Sequence, residues 1–451
     1  MARETNYHCD REHCCLMANV IVVGAGLAGL ASAVRLAKLG HQVTICEQNE
    51  HLGGVLGRVE ADGFTWDAGA ASTTLPAALR DLFRKSGRPI ESLVQLEPVT
   101  EPRRHMFTDG SVLDLPISDR GLQEEAWTDL AGAAVAEQWT ALVDSYGDTW
   151  QILRKTSLEP PLEDKLPIKT IRALKPWQSL EKVAQRELSD ERARAVLRHF
   201  AAQGGSEATL TPGYVGVWSY LERTFGRWTI AGGFGALADA LVQRASERKI
   251  TVRTSAEVVA VTTTGGVVTG VRLADGTELP ADVVVSDIDP RVLYESFVTD
   301  PAAKKVRKRI LATHQAQAAY VVHLGLKDPV PELPFETVLH GEPTVVVRTG
   351  GTAPAGHQAW SVLVHGYPTD DVLDLLVARG LPVRDNVVSR QTSPSWWAGV
   401  AWEGYRTARR RASNVSPVKG LYCVGAGAHP GSGVPATTLG AAIVADAIGK
   451  A

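Results

Sequence analysis

Apolar positions along the chain switch between two spacings. Asn19 to Val23 (NVIVV) is a short β-branched run of the kind a buried strand carries, and Leu27 to Leu39 is alanine- and leucine-rich with helical spacing. Gly40 stops that helix, and His41 to Cys46 reads as a second strand ending at Glu47. Strand, glycine turn, helix and strand make a βαβ unit. Further along, GGFGALADALVQRASER begins with glycines and predicts an amphipathic helix leading into a strand at Ile250 to Thr254. A β-meander is expected over Glu257–Val261, Gly266–Leu273 and Asp282–Ser286, with turn signals at Gly265 and at Asp275–Gly276. The last segment, Gly420–Ala451, reads as a strand, a glycine- and proline-rich loop and a terminal helix.

Two insertions of different character separate these pieces. From about Gln123 to Phe200 the spacing is helical, interrupted by the proline-rich EPPLEDKLP; from about Ala318 to Tyr367 it is strand-like (AAYVVHLGL, TVVVRT, AWSVLVHGY), with a helix expected after Thr369. The fold class that follows is α/β: a Rossmann-type FAD/NAD(P)-binding domain, discontinuous over 18–105, 226–300 and 411–451, interleaved with a mixed α/β substrate domain over 106–225 and 301–410 that carries the helical insertion. Residues 1–17 read as a flexible leader.

Composition narrows the classes. The 47 Lys plus Arg nearly balance 50 Asp plus Glu, a net charge of -3 that argues against a nucleic-acid partner. With 44% apolar and 22% charged residues, disordered and collagenous classes are excluded. Five cysteines in 451 residues make no secreted disulfide framework, and no export signal is visible, so a cytoplasmic setting is expected. His8, Cys9, His13, Cys14 and Cys15 offer soft ligands, but adjacent cysteines without a second knuckle are poor metal spacing, and no metal is expected. Ala18 to Ala37 is long enough for a membrane span. Its clustered glycines, its helical alanine spacing and the charges of Arg35 and Lys38 at its end argue against one.

Gly24, Gly26 and Gly29 form G-x-G-x-x-G directly between a strand and a helix. The first glycine allows the tight turn, the second lets the backbone approach a pyrophosphate, and the third lets helix pack on strand. The helix N-terminus at Leu27 and Ala28 adds free N–H groups and a positive dipole end. Eighteen residues beyond Gly29, Glu47 ends the next strand, where a carboxylate accepts hydrogen bonds from ribose hydroxyls. After Glu47 come Gly53, Gly54 and Arg58, an extension that a longer ligand needs and an NAD-only domain does not, so FAD is favoured. In the terminal loop Gly425, Gly427, Gly431 and Gly433 precede a helix, a density of glycine suited to close approach by a flat ring.

Together, GAGLAGLASAVRLAKLGHQVTICEQNEHLGG, GRVEADGFTWDAG, TIAGGFGALADAL, ADVVVSDIDP and LYCVGAGAHPGSGVP resemble bacterial-type phytoene desaturases, FAD-dependent polyene oxidoreductases within the amine-oxidase-like flavoprotein superfamily. The likeness spans both ends and the middle of the nucleotide-binding segments and is weaker in the insertions. It implies a non-covalent FAD that takes a hydride from an allylic C–H of a long apolar substrate while the neighbouring carbon loses a proton. It also implies that Gly24, Gly26, Gly29 and Glu47 hold the adenosine half and Gly53, Gly54 and Arg58 the middle. Val258 would contact the adenine through its backbone, and Gly427, His429, Gly433 and Val434 would flank the isoalloxazine.

Hydride transfer to flavin needs no protein nucleophile, and the chain has no G-x-S-x-G and no H-E-x-x-H. A general base still helps remove the adjacent proton. His429, within the flavin-facing motif, is the catalytic candidate; its alternative role is to hydrogen-bond the glycine loop. Trp396, Trp397, Trp402 and Tyr405 offer either an apolar channel, a substrate-amine flank or core packing. The basic runs at Arg406–Arg411 and Lys304–Arg309 are compatible with a membrane surface or a solvated face. The electron acceptor is unidentified. Beside the desaturase-like reading stand two others, a flavin amine oxidase releasing peroxide and a non-redox polyene isomerase.

Overall fold

The computed structural model describes residues 17–162, 166–366, 370–393 and 399–451. The leader's histidines and cysteines (His8, Cys9, His13, Cys14, Cys15), together with Trp396 and Trp397, lie outside the described residues. Five strands form a parallel sheet in the order Leu421–Cys423, Val283–Ser286, Asn19–Val23, Gln42–Cys46, Thr251–Arg253. The unbroken apolar run of the first strand follows from burial on both faces. Val20 and Val22 pack with the helices Leu27–Lys38, Gly235–Glu247 and Val434–Ile448. Ile21 and Val23 point the other way, onto a core with Val258, Val271 and Tyr294. Each such side chain, taken fully out of water, contributes about 1.5–3 kcal/mol.

The chain leaves the first strand toward Gln42–Cys46 on one side and returns much later as Val283–Ser286 on the other. That reversal of strand order opens a crevice at the carboxyl ends of the strands. The meander is present but shifted. Its strands are Val258–Thr264, Val267–Leu273 and Glu278–Pro280, whereas Asp282–Ser286, expected as its third member, enters the parallel sheet. Three consecutive valines suit a strand covered on both faces, while Glu278–Pro280 is an exposed edge that ends in proline.

A seven-stranded sheet makes the second half, in the order Val387–Thr392, Tyr320–Lys327, His357–His365, Thr344–Arg348, Glu336–Leu339, Arg103–Met106, Val112–Leu115. All its pairs are antiparallel except Glu336–Leu339 with Arg103–Met106. The domain boundary expected at 105 therefore falls inside a strand of this sheet. Beside the sheet lie the helices of the insertion, Arg120–Ala131, Ala133–Leu153, Ile168–Leu174, Leu180–Glu187, Glu191–Gln203 and Val217–Phe225, around a core containing Trp127 and Trp139. The helix Lys304–Leu311, expected in the substrate half, packs through Ile310 against the nucleotide half. No helix among the described residues is long and apolar enough to cross a membrane. The stretch Ala18–Ala37 divides into strand, turn and helix.

Candidate cofactor and substrate site

Four of the five parallel strands end at a residue that faces the crevice. Gly24 follows the first, Glu47 the second, Asp287 the fourth, and Val424 with Gly425 the fifth. The third glycine of the motif is fixed by packing, since a Cβ at Gly29 would overlap the Gly24 carbonyl oxygen. Glu47 is buried and its carboxylate is held on three donors: the Ala25 N–H (2.8 Å), the Asn49 N–H (3.0 Å) and the Asn49 Nδ2 (2.8 Å). The second glycine pair folds back on the first. Gly53 N–H donates to the Ala25 carbonyl (2.9 Å), and a Cβ at Gly54 would lie 3.2 Å from Gly26 Cα.

Asp287 carries no role in the sequence reading, although its segment was noticed there. Its Oδ2 accepts from Gly29 N–H (2.9 Å), so a side chain from a distant strand caps the first helix, whose own N-cap is a glycine. A Cβ on Gly26 would sit 2.8 Å from that oxygen, and one on Gly425 would meet Oδ1. Burial pushes the Asp287 carboxyl up, the Gly29 hydrogen bond opposes this, and the Glu47 charge adds to it, leaving the group at about 7. It stands at the point where strand order reverses, a placement set by tertiary pairing and not by local spacing.

These elements form one wall of a single cavity of about 1260 Å³. Gly24, Gly26, Leu27, Ala28, Glu47 and Gly54 line one stretch, with Val258 beside them. Gly425, Gly427, His429, Gly433 and Val434 line another. Three expected residues stand behind the surface. Gly29 and Gly53 are packing positions, and Arg58 pairs with Asp239 (2.7 Å) on the helix Gly235–Glu247. Beyond the terminal loop the cavity continues between insertion and sheet, among Leu153, Ile171, Phe200, Trp218, Val321 and Leu363. That arm is apolar.

His429 Nε2–H donates to the Pro160 carbonyl (3.0 Å), joining the terminal loop to the proline-rich break in the insertion. Burial, only partly offset by that carbonyl, brings its pKa down to about 4, so the ring is neutral. Nearby, Arg411 lies over the Trp402 ring, 4.6 Å from its centroid, and donates from Nη1 to the Pro430 carbonyl (3.1 Å). Trp402 and Tyr405 line the cavity, and Trp402 meets Tyr214 edge-on. The rest of that basic run is dispersed, with Arg410 paired to Glu403 and Arg406 over Tyr405.

A buried ionic cluster closes the sheet side. Glu336 accepts from Arg103 Nε, Arg227 Nη1 and Nη2 and Arg348 Nε, each at 2.9 Å, and Arg103 also grips Glu222 at 2.7 Å with both terminal nitrogens. Burial alone would raise the Glu336 pKa, but Arg227, Arg103 and Arg348 hold it well below the usual carboxylate range. Arg227 and Arg348 reach the cavity, and Arg227 holds Ser72 Oγ (2.7 Å). No local pattern marks these residues, which come from four separate segments.

Comparison with known proteins agrees with this architecture. The family described as flavin containing amine oxidoreductase matches residues 27–449. A 4,4'-diapolycopene oxygenase from Methylomonas sp is 27% identical, over 95% of this chain and 97% of its own length. A 4,4'-diaponeurosporene oxygenase from Staphylococcus aureus is also 27% identical, over 95% and 98%. Among solved structures, putrescine oxidase bound to putrescine superposes with a TM-score of 0.72 at 18% identity, covering 96% of this chain and 99% of that one. A fatty acid isomerase from P. acnes that produces CLA gives 0.65 at 16% identity, covering 96% and 98%. At these identities the structures speak for the fold.

Proposed function

The chain belongs to the flavin containing amine oxidoreductase family, and from that premise we propose that it holds FAD along its glycine loops and withdraws a hydride from an allylic C–H of a long apolar isoprenoid or related lipid. It is a flavin-dependent oxidoreductase. The observation that carries the finer reading is the cavity: at about 1260 Å³ it exceeds the roughly 300–1,000 Å³ of ordinary small-molecule sites and joins a glycine-lined stretch to an apolar arm. A cofactor and an apolar chain can share it.

The donor set fits a dinucleotide. Glu47 is held where it can accept from ribose hydroxyls, the N–H groups of Leu27 and Ala28 open toward the cavity wall, and Gly26 leaves the backbone bare for a diphosphate. The terminal helix Val434–Ile448 starts at Gly433 without a side-chain cap, leaving its first N–H groups for the ring. When bound, the flavin supplies the two-electron chemistry. The chain's own residues would bind, orient and exclude water: Leu153, Phe200 and Trp218 would keep the reacting carbon dry, and neutral His429, which lines the same cavity, would take the proton from the carbon beside it.

One observation weighs against the amine oxidase reading. The Arg411 guanidinium already lies over one face of Trp402, an aromatic ring in the cavity wall on which a substrate ammonium would have to stack. The two carotenoid oxygenases reported among the relatives favour a polyene, and the net product of the hydride and proton removal is then a desaturated chain. The test is anaerobic mixing of the purified holoprotein with acyclic polyenes and, separately, with primary amines, followed by mass spectra of the extracted polyenes. Bleaching of the flavin by polyenes, with loss of two hydrogens, supports the proposal. Bleaching by amines alone overturns it, and a polyene of unchanged mass but altered geometry points to the isomerase.

A further inference from the structure

We propose that Asp287 meets the diphosphate of the cofactor as a neutral carboxylic acid, so that the dinucleotide enters together with a proton. The inference rests on the FAD reading above and concerns a residue that neither the family likeness nor the motif assigns.

The geometry is that of too many anions around one helix N-terminus. Asp287 Oδ2 takes the Gly29 N–H, which leaves the N–H groups of Leu27 and Ala28, without a protein acceptor among the described residues, for a diphosphate in the same first turn. Glu47 stands across the loop. Its carboxylate oxygens accept from three donors, whereas among the described residues Asp287 has the single Gly29 N–H. When a doubly charged diphosphate joins these two carboxylates, the one with fewer donors, Asp287, is the one to take up a proton. A protonated Asp287 then turns from a repelling acceptor into an O–H donor.

Among the described residues no neighbouring cation cancels this. The first helix presents only glycines and apolar residues toward Asp287, and the second strand presents Glu47. On its own loop Asp289 is held by the Arg291 N–H and by Gln315. The terminal loop brings Gly425 against Oδ1, and its His429 is neutral. Arg58 is turned away to Asp239, and Arg411 is stacked on Trp402. Before any ligand arrives, burial, opposed by the Gly29 bond and helped by Glu47, already brings the carboxyl to about 7.

The sign of the linkage follows. A bound anion raises the Asp287 pKa further, so binding takes up a proton wherever the free protein has lost it, above about pH 7. Affinity for FAD is flat below that pH and weakens above it, by up to about tenfold per pH unit. The experiment uses the full chain stripped of flavin and titrated with FAD by fluorescence from about pH 6 to about pH 9, with calorimetry at about pH 8 in two buffers of different ionisation enthalpy. Expected for the unmodified protein are a rising Kd above about pH 7 and an uptake approaching one proton; for Asp287→Asn, a flat Kd and no uptake. Should Asp287→Asn fail to fold, Asp287→Ser replaces it, and Glu47→Gln must move the break to lower pH. An unmodified protein with a flat profile, or an Asp287 variant that keeps the slope, overturns the assignment while leaving FAD binding intact. A chain that takes no FAD at any pH removes the FAD premise itself and the assignment with it.

Discussion

His429 shows how much a single residue's bonding decides. Its Nε2–H is committed to the Pro160 carbonyl, which leaves Nδ1 as the nitrogen free to accept a proton. Bridge and base are separable by substitution. His429→Ala removes both, and we expect it to keep flavin bound while slowing flavin reduction by substrate about 10²–10⁴-fold in stopped-flow traces. His429→Gln restores an N–H for Pro160 but no proton acceptor, so it should recover thermal stability without recovering rate. Full recovery of rate by glutamine would reduce His429 to a strut. The pH profile gives an independent check. Since burial holds the ring near 4, the base is competent above that value, and the reduction rate should fall as pH drops through about 4.

At the level of elements, the glycine loop is the part on which cofactor and fold depend together. Gly29 packs on the Gly24 carbonyl so closely that Gly29→Ala must push the first helix off its strand. We expect about 1–3 kcal/mol of lost stability and a colourless protein on purification; a yellow Gly29→Ala protein of normal melting temperature contradicts the packing argument. This loop was legible in the sequence because strand, turn and helix are contiguous and their spacing is local. What failed to show was whatever depends on partners far along the chain. Asp282–Ser286 has a strand's pattern, but whether it continues the meander or joins the parallel sheet is decided by Asn19–Val23, more than 250 residues away. Arg103 looked like part of the nucleotide half until Glu336 claimed it. Asp287 lay in a segment already singled out, yet a carboxylate becomes a helix cap only through a tertiary contact that no spacing encodes.

Over the whole molecule, the seam between the helical insertion and the seven-stranded sheet is built from groups that tolerate neutral pH and resist acid poorly. His199 on the helix Glu191–Gln203 faces His105, His340 and His365 from the sheet, with ring centroids 6.3–6.5 Å from its own. Burial lowers all four, His340 and His365 to about 4 and the other two well below 6.5. Each therefore stays neutral in the folded chain while the unfolded chain protonates near 6.5, so stability is full above that pH and falls as pH drops toward 4, by about 1.4 kcal/mol per pH unit per histidine. Glu336 extends the loss. Its depressed pKa means that its stabilisation is complete above 4.5 and is withdrawn only in stronger acid. Denaturant unfolding from about pH 7 to about pH 4 should show this slope, and His199→Leu should flatten it, because both ring nitrogens of His199 lack partners and leucine strands no polar group. Glu336→Gln should instead lower stability at every pH, by about 3–5 kcal/mol, by leaving three guanidinium groups around an uncharged side chain. An unchanged slope in His199→Leu would remove His199 from the acid sensitivity.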